Sequence, residues 1–135
     1  MINQFLTNYT ETTFLEKLKD NLRRCSSFCF SVSFIKKAGL VLLFKDLEAV
    51  ERGCTGRIIT STYQNFTDLE SLKSFFSLMG RCSNFQCHLG YECFHDSGYA
   101  TLGYHSKGYL FEFNDHREVI VASSNYYPVC PAEEY

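Results

Sequence analysis

Ser27-Phe-Cys-Phe-Ser-Val-Ser-Phe-Ile35 is the stretch on which the reading of this chain turns. Phe28, Phe30, Val32 and Phe34 alternate with Cys29, Ser31 and Ser33. A period of two in aromatic and β-branched residues is the mark of a strand, with large side chains on one face and small ones on the other. The small face lets a helix or another chain approach closely. Upstream, Thr13-Phe-Leu-Glu16 has the form of a capping box and opens a helix running to about Arg24. Phe14, Leu15, Leu18 and Leu22 fall on one side of that helix.

Downstream the pattern changes period. Gly39 to about Arg52 reads as a helix burying Leu40, Leu43, Phe44 and Leu47, with Gly53 placed to stop it in a left-handed conformation. Gly56-Arg-Ile-Ile-Thr60 is a second strand. After a loop from Ser61 to Thr67, Asp68 is a helix N-cap. The helix behind it is expected to bury Leu69, Leu72, Phe75, Phe76 and Met79 and to end at Gly80. Asn84 to Tyr91 is a third strand. Beyond the turn signal Asp96-Ser-Gly98, Tyr104–Phe113 and Glu118–Ser123 form a hairpin across Asn114-Asp-His-Arg117. The tail from Asn125, with Pro128 and Pro131, is irregular. Helices between short strands predict a single α/β domain over residues 1–135, a mixed and largely parallel sheet flanked by helices on both faces.

Composition sets limits on function. The chain of 135 residues is 45% hydrophobic and 21% charged, enough for one domain with a real core and inconsistent with disorder. A formal net charge of −2 does not announce nucleic-acid binding, so any anion site must be local. No apolar run approaches the roughly 20 residues of a membrane span. Seven cysteines, an odd number, follow an N-terminus without a basic segment leading into an apolar stretch. Reduced, mostly buried thiols in a cytoplasmic protein are the expectation. Zinc is the competing reading, because Cys82, Cys87, His88, Cys93 and His95 cluster. Their spacings differ from the tight pairs of zinc ribbons, and on a strand they would point to opposite faces.

The chemistry concentrates at His105-Ser-Lys107. Two residues apart on a strand, His and Lys face the same way. A nucleophilic imidazole acting on a phosphate needs a neighbouring cation, and Lys supplies it. Glu112 follows on the same strand, and Ser123, Ser124 and Asn125 close the next one. If the hairpin pairs in register, their hydroxyl and amide donors lie beside His105 and hold phosphate oxygens. A His-x-Lys pair by itself is more often a solvated surface pair. Tyr63, Asn65, Thr67 and Asp68 are secondary candidates to line a cleft, since loops at strand ends carry function. His116, in the hairpin turn, reads as solvated, as do Arg23, Arg24, Lys36, Lys37 and Arg52 at helix ends.

Tyr104-His-Ser-Lys-Gly-Tyr-Leu-Phe-Glu112 followed by Val121-Ala-Ser-Ser-Asn125 resembles the HxKxxxxD…GSxN signature of the phospholipase D superfamily. More specifically, it resembles the phospholipase D-like domain at the N-terminus of certain bacterial DEAD/DEAH-box helicases. Ser31-Val-Ser-Phe-Ile35 with Gly39-Leu-Val-Leu-Leu43, and Arg57-Ile-Ile-Thr60 through Tyr63, Asn65, Phe66, Thr67 and Asp68, resemble further stretches of that group. The resemblance spans about residues 13–125.

It implies a phospholipase D-like half-domain, the N-terminal part of a longer helicase-type protein. Family members attack a phosphodiester with a His, form a phosphohistidine, and protonate the leaving oxygen with a second His from a second motif. No metal or other cofactor is needed. Carried over, His105 is nucleophile or general acid, Lys107 and Asn125 hold the phosphate, and Ser123 assists. Glu112 stands where the family has Asp and is carried over with His105, Lys107 and Asn125 as catalytic, with a structural or lost role as the competing reading because its side chain is one methylene longer. Ala122 replaces the Gly of GSxN. Only one motif is present, since His88, His95 and His116 have no Lys two residues on. The implied enzyme is therefore a homodimer pairing two His105 residues across a twofold axis. DNA is the expected substrate, with helicase domains as further partners. Its alternative is a catalytically weak phosphodiester-binding or dimerisation module. A lipid substrate is disfavoured because no membrane-binding segment is visible.

Overall fold

The computed structural model of the chain describes residues 2–7, 9–62, 66–90 and 105–122. Thr13 caps the first helix in both directions. Its hydroxyl accepts from the Glu16 amide at 3.3 Å, and the Glu16 carboxylate accepts from the Thr13 amide at 2.9 Å. Helix α1 (Phe14–Arg24) leads into β1 (Ser27–Val32), then α2 (Lys37–Leu47) and a 3-10 helix (Glu48–Arg52). There follow β2 (Thr55–Ser61), α3 (Leu69–Arg81), β3 (Phe85–Gly90), β4 (Lys107–Glu112) and β5 (Arg117–Val121). Gly53 ends the 3-10 helix at φ 96°, the left-handed position expected of it. No helix among the described residues is long and apolar enough to cross a membrane.

The five strands are ordered β3-β2-β1-β4-β5, with β1 at the centre. β1 pairs parallel with β2, and β2 with β3, whereas β4 runs antiparallel to both β1 and β5. The sheet is therefore evenly mixed rather than largely parallel.

Among the described residues the three helices lie on one face, not on both as the sequence led us to expect. From β1 to β2 to β3 the chain steps in one direction, and right-handed crossovers then place α2 and α3 on the same side. α1 joins them. The ring of Phe14 meets Tyr109 edge-on at 5.2 Å, and Leu18 and Leu22 are fully buried in the common core. That core takes Phe28, Phe30 and Val32 from β1, Ile58 from β2, Phe85 from β3, and Tyr109 and Phe111 from β4. Each such fully buried side chain contributes about 1.5–3 kcal/mol of transfer free energy. On the other face Cys29, Arg57, Gln86, Leu110 and Glu112 border a cleft of ≈ 320 Å³, and Val119 and Val121 are exposed.

Other expectations need correction in detail. β1 stops at Val32 because Ser33 leaves the ladder. Its carbonyl instead accepts from both the amide and the hydroxyl of Ser61, at 3.2 and 2.7 Å. α3 buries Phe75 and Leu78, while Leu69 and Phe76 stay exposed. The helix also runs through Gly80 to Arg81. Its buried stripe is thus rotated from the one expected, and Gly80 is an interior residue.

Candidate functional site

β4 runs antiparallel to β1, so its first residues lie at the carboxyl end of the parallel strands, with Lys107 opposite Val32. That edge is where open α/β sheets place ligands. A ladder of hydroxyls fixes it. Ser106 Oγ lies 2.7 Å from Ser31 Oγ, and its carbonyl accepts from Ser33 Oγ at 3.2 Å. Ser33 is tied to Ser61 as described. The Ser61 carbonyl accepts from Thr67 Oγ1 at 2.7 Å, which in turn accepts from the Ile35 amide at 3.2 Å. The start of β4 is thus tied through β1 and β2 to the approach to α3. Ser33 and Ser61 are fully buried, so these bonds are shielded from water.

His105 and Lys107 flank Ser106 and meet. Lys107 Nζ lies 2.9 Å from His105 Nε2 and 3.1 Å from Nδ1. An ammonium has donors only and a neutral imidazole has one accepting nitrogen, so at most one of these two contacts is a hydrogen bond. His105 is exposed and Lys107 half-buried, which leaves both open to an anion from solvent. The expectation that the pair shares one face holds, although His105 itself precedes the strand.

Glu112 is not brought to them. It sits five positions along β4 from Lys107, about 17 Å at the usual strand rise. Alternation also turns it to the other face. Tyr109 and Phe111 point with Lys107 toward the helices, while Glu112 lines the open-face cleft. There its carboxylate accepts from Ser27 Oγ at 2.9 Å and pairs with Arg117 Nε at 2.8 Å. Within one chain Glu112 fastens β1, β4 and β5 together and cannot touch a phosphate held at His105.

Ser123 and Asn125 lie outside the described residues, as do Tyr63, Asn65, Cys93 and His95. The hairpin does pair in register. Gly108 faces Val121, and the Ala122 amide donates to the Lys107 carbonyl at 2.9 Å. Thr67 is occupied by the hydroxyl ladder. Asp68 holds the N-cap position of α3, but its side chain serves α2 instead. Its carboxylate accepts from the Lys37 amide at 2.6 Å and lies 3.4 Å from Lys36 Nζ. The Lys37 amide bond, followed by the nearby lysine charges, holds the Asp68 carboxyl below its ordinary range. Lys36 also stands over the Phe66 ring at 5.7 Å.

No group of three or more His, Cys, Asp or Glu among the described residues is arranged to hold a metal ion. Cys87 and His88, neighbours on β3, point to opposite faces of the sheet. His116 is exposed as expected, yet it is engaged. It pairs with Asp115 at 2.7 Å and Glu118 at 3.4 Å and stacks on Phe113 at 4.5 Å. Ser106, Ser33 and Ser61 were not anticipated as supports of the site. The signal was present in small hydroxyl residues recurring at the carboxyl ends of β1 and β2. In comparison with known proteins, no family model matches the chain and no curated protein matches it.

Proposed function

We propose that the chain is a metal-independent phosphodiesterase module that cleaves nucleic acid through a phosphohistidine at His105. The observation that carries this reading is the 2.9 Å contact between Lys107 Nζ and His105 at the carboxyl edge of the sheet. The resemblance of the surrounding segments to the phospholipase D superfamily supplies the reaction. A lone pair of His105 attacks phosphorus, an N–P bond forms, and the bond from phosphorus to the leaving oxygen breaks. The leaving oxygen takes its proton from the His105 of a second copy, which then removes a proton from water to release the phosphate. Lys107 balances charge on the non-bridging oxygens. Ser123 and Asn125 are assigned the remaining phosphate contacts by the resemblance. These 135 residues hold one such motif, and this reading completes the site with His105 of a second copy in a homodimer.

A second reading is favoured by Glu112, whose carboxylate is held by Ser27 and Arg117 away from His105. It is a module, attached to a helicase, that binds phosphodiesters or dimerises with little turnover. The two readings separate in one assay. Purified protein is incubated with single- and double-stranded DNA in excess chelator, beside a His105→Ala control, while its solution mass is recorded. Cleavage by a dimer, lost in the control, supports the enzyme. A folded dimer that binds DNA and leaves it intact supports the binding module.

A further inference from the structure

Cys25 and Cys54 stand apart from the site described above, at the amino-terminal edge of the parallel strands. Cys25 caps the end of α1 and Cys54 precedes β2. Their sulfurs are 3.7 Å apart, and the two residues are 8% and 7% exposed. The backbone holds them there. The Cys25 amide donates to the Asn21 carbonyl at 2.8 Å, and the Cys54 amide to the Ala49 carbonyl at 3.3 Å. Between the two, the Thr55 amide donates to the Ser26 carbonyl at 3.0 Å, which keeps the two stretches of chain at sheet spacing. Asn84 Nδ2 donates to the Cys54 carbonyl at 2.6 Å and to the Val50 carbonyl at 2.7 Å. Sulfurs packed at this distance are already at van der Waals contact. A disulfide needs about 2.05 Å, so closing the bridge requires the sulfurs to approach by side-chain rotation.

We propose that Cys25 and Cys54 are a redox modification site that closes to a disulfide on exposure to a hydroperoxide. The two thiols are inequivalent. Either sulfur can donate in the contact between them; that contact and the charge of Arg52 hold the Cys54 thiol below its ordinary range. The Cys25 thiol is raised by its contact with Cys54 and by burial. Cys54 is therefore the attacking thiolate and Cys25 the resolving thiol. The Cys54 thiolate attacks one oxygen of hydrogen peroxide, the O–O bond breaks, and a sulfenic acid forms as hydroxide leaves. The Cys25 sulfur then displaces that oxygen, forming the S–S bond and releasing water. Peroxide is reduced by two electrons and the two thiols are oxidised by the same number. The bridge joins the end of α1 to the start of β2 and leaves His105 untouched.

The test uses the full chain, natively folded, treated with hydrogen peroxide. Free thiols are then alkylated, the protein is digested and cross-linked peptides are sequenced by mass spectrometry. The expected product is a Cys25–Cys54 bridge, lighter by two hydrogens. It should form equally in a Cys29→Ser variant and be absent from Cys54→Ser. In Cys25→Ser the sulfenic acid at Cys54 should persist and be trapped by a dimedone-type reagent. Alkylation of both Cys25 and Cys54 after oxidation of the folded wild-type chain would overturn the proposal. So would bridging of Cys54 to another cysteine instead. The wild-type mapping stands even where a variant fails to fold.

Discussion

Gly56 is where the packing is least forgiving, and Gly56→Ala tests it. A Cβ built at Gly56 would stand 2.5 Å from Phe28 Cζ, 2.9 Å from Phe28 Cε1 and 2.8 Å from Val50 Cγ1. Real carbon contacts are not this short, so something must move. The ring of Phe28 is 3% exposed and packs 5.0 Å from that of Phe30, which meets Tyr109 and Phe111 in turn. The β2 backbone cannot retreat, because it is bonded to β1 on one side and β3 on the other. Overpacking of this kind costs about 1–3 kcal/mol. Replacing glycine lowers the entropy of the unfolded chain and returns about 0.4–1 kcal/mol. The net expectation is a loss of roughly 1–2 kcal/mol. In urea, with a slope of about 2 kcal/mol/M, the midpoint should fall by roughly 0.5–1 M. Phe28→Leu removes the clashing ring edge, so it should cost less in the Gly56→Ala background than in the wild type. An unchanged or raised midpoint for Gly56→Ala, with no coupling to Phe28, would refute the packing described.

Three further outcomes follow from single contacts. Gly80→Ala should stabilise by about 0.5–1 kcal/mol, because Gly80 is inside α3 with open space around it; a loss on urea denaturation would contradict its helical assignment. Asp68→Ala should cost about 0.5–1 kcal/mol, the low end for a cap because its side chain is 35% exposed, and nearly the same in a Lys36→Ala background; a loss that vanishes there would put the ion pair above the Lys37 amide bond. His116 is raised above its ordinary 6.5, first by its bond to Asp115 and then by Glu118, so its protonated form is favoured on folding. Its contribution is complete below that ordinary value and fades as pH rises through the folded one. His116→Gln should therefore lower the urea midpoint more at about pH 5.5 than near pH 9, where only the stacking on Phe113 is lost. The reverse dependence would contradict the pairing.

The sequence was most legible where signals are local. The reciprocal Thr13–Glu16 cap, the left-handed Gly53 and the alternation of Phe28, Phe30 and Val32 each fix a short piece of backbone. The nearness of His105 and Lys107 was legible for the same reason, since the two are only two residues apart, although His105 precedes the strand. What escaped was decided by partners far along the chain. Leu69 and Phe76 are apolar at helical spacing, but Leu78 takes the core position because α3 packs against Phe85 of β3. Asp68 has the chemistry of a cap, and nothing local reveals that the α2 amide of Lys37 is nearer. Glu112 is seven residues after His105 in the family pattern, but strand alternation turned it to the opposite face, where Arg117 and Ser27 take it. The one-sided helix layer follows from strand order, a property no single segment carries.

The proposed phosphohistidine at His105 is tested most directly by a rapid denaturing quench of a single-turnover DNA reaction in chelator, at alkaline pH. Mass spectrometry of the digested protein then looks for a covalent nucleotide. The prediction is a phosphoramidate adduct on the peptide carrying His105, absent from His105→Asn. Cleavage without an adduct, undiminished in His105→Asn, would contradict it.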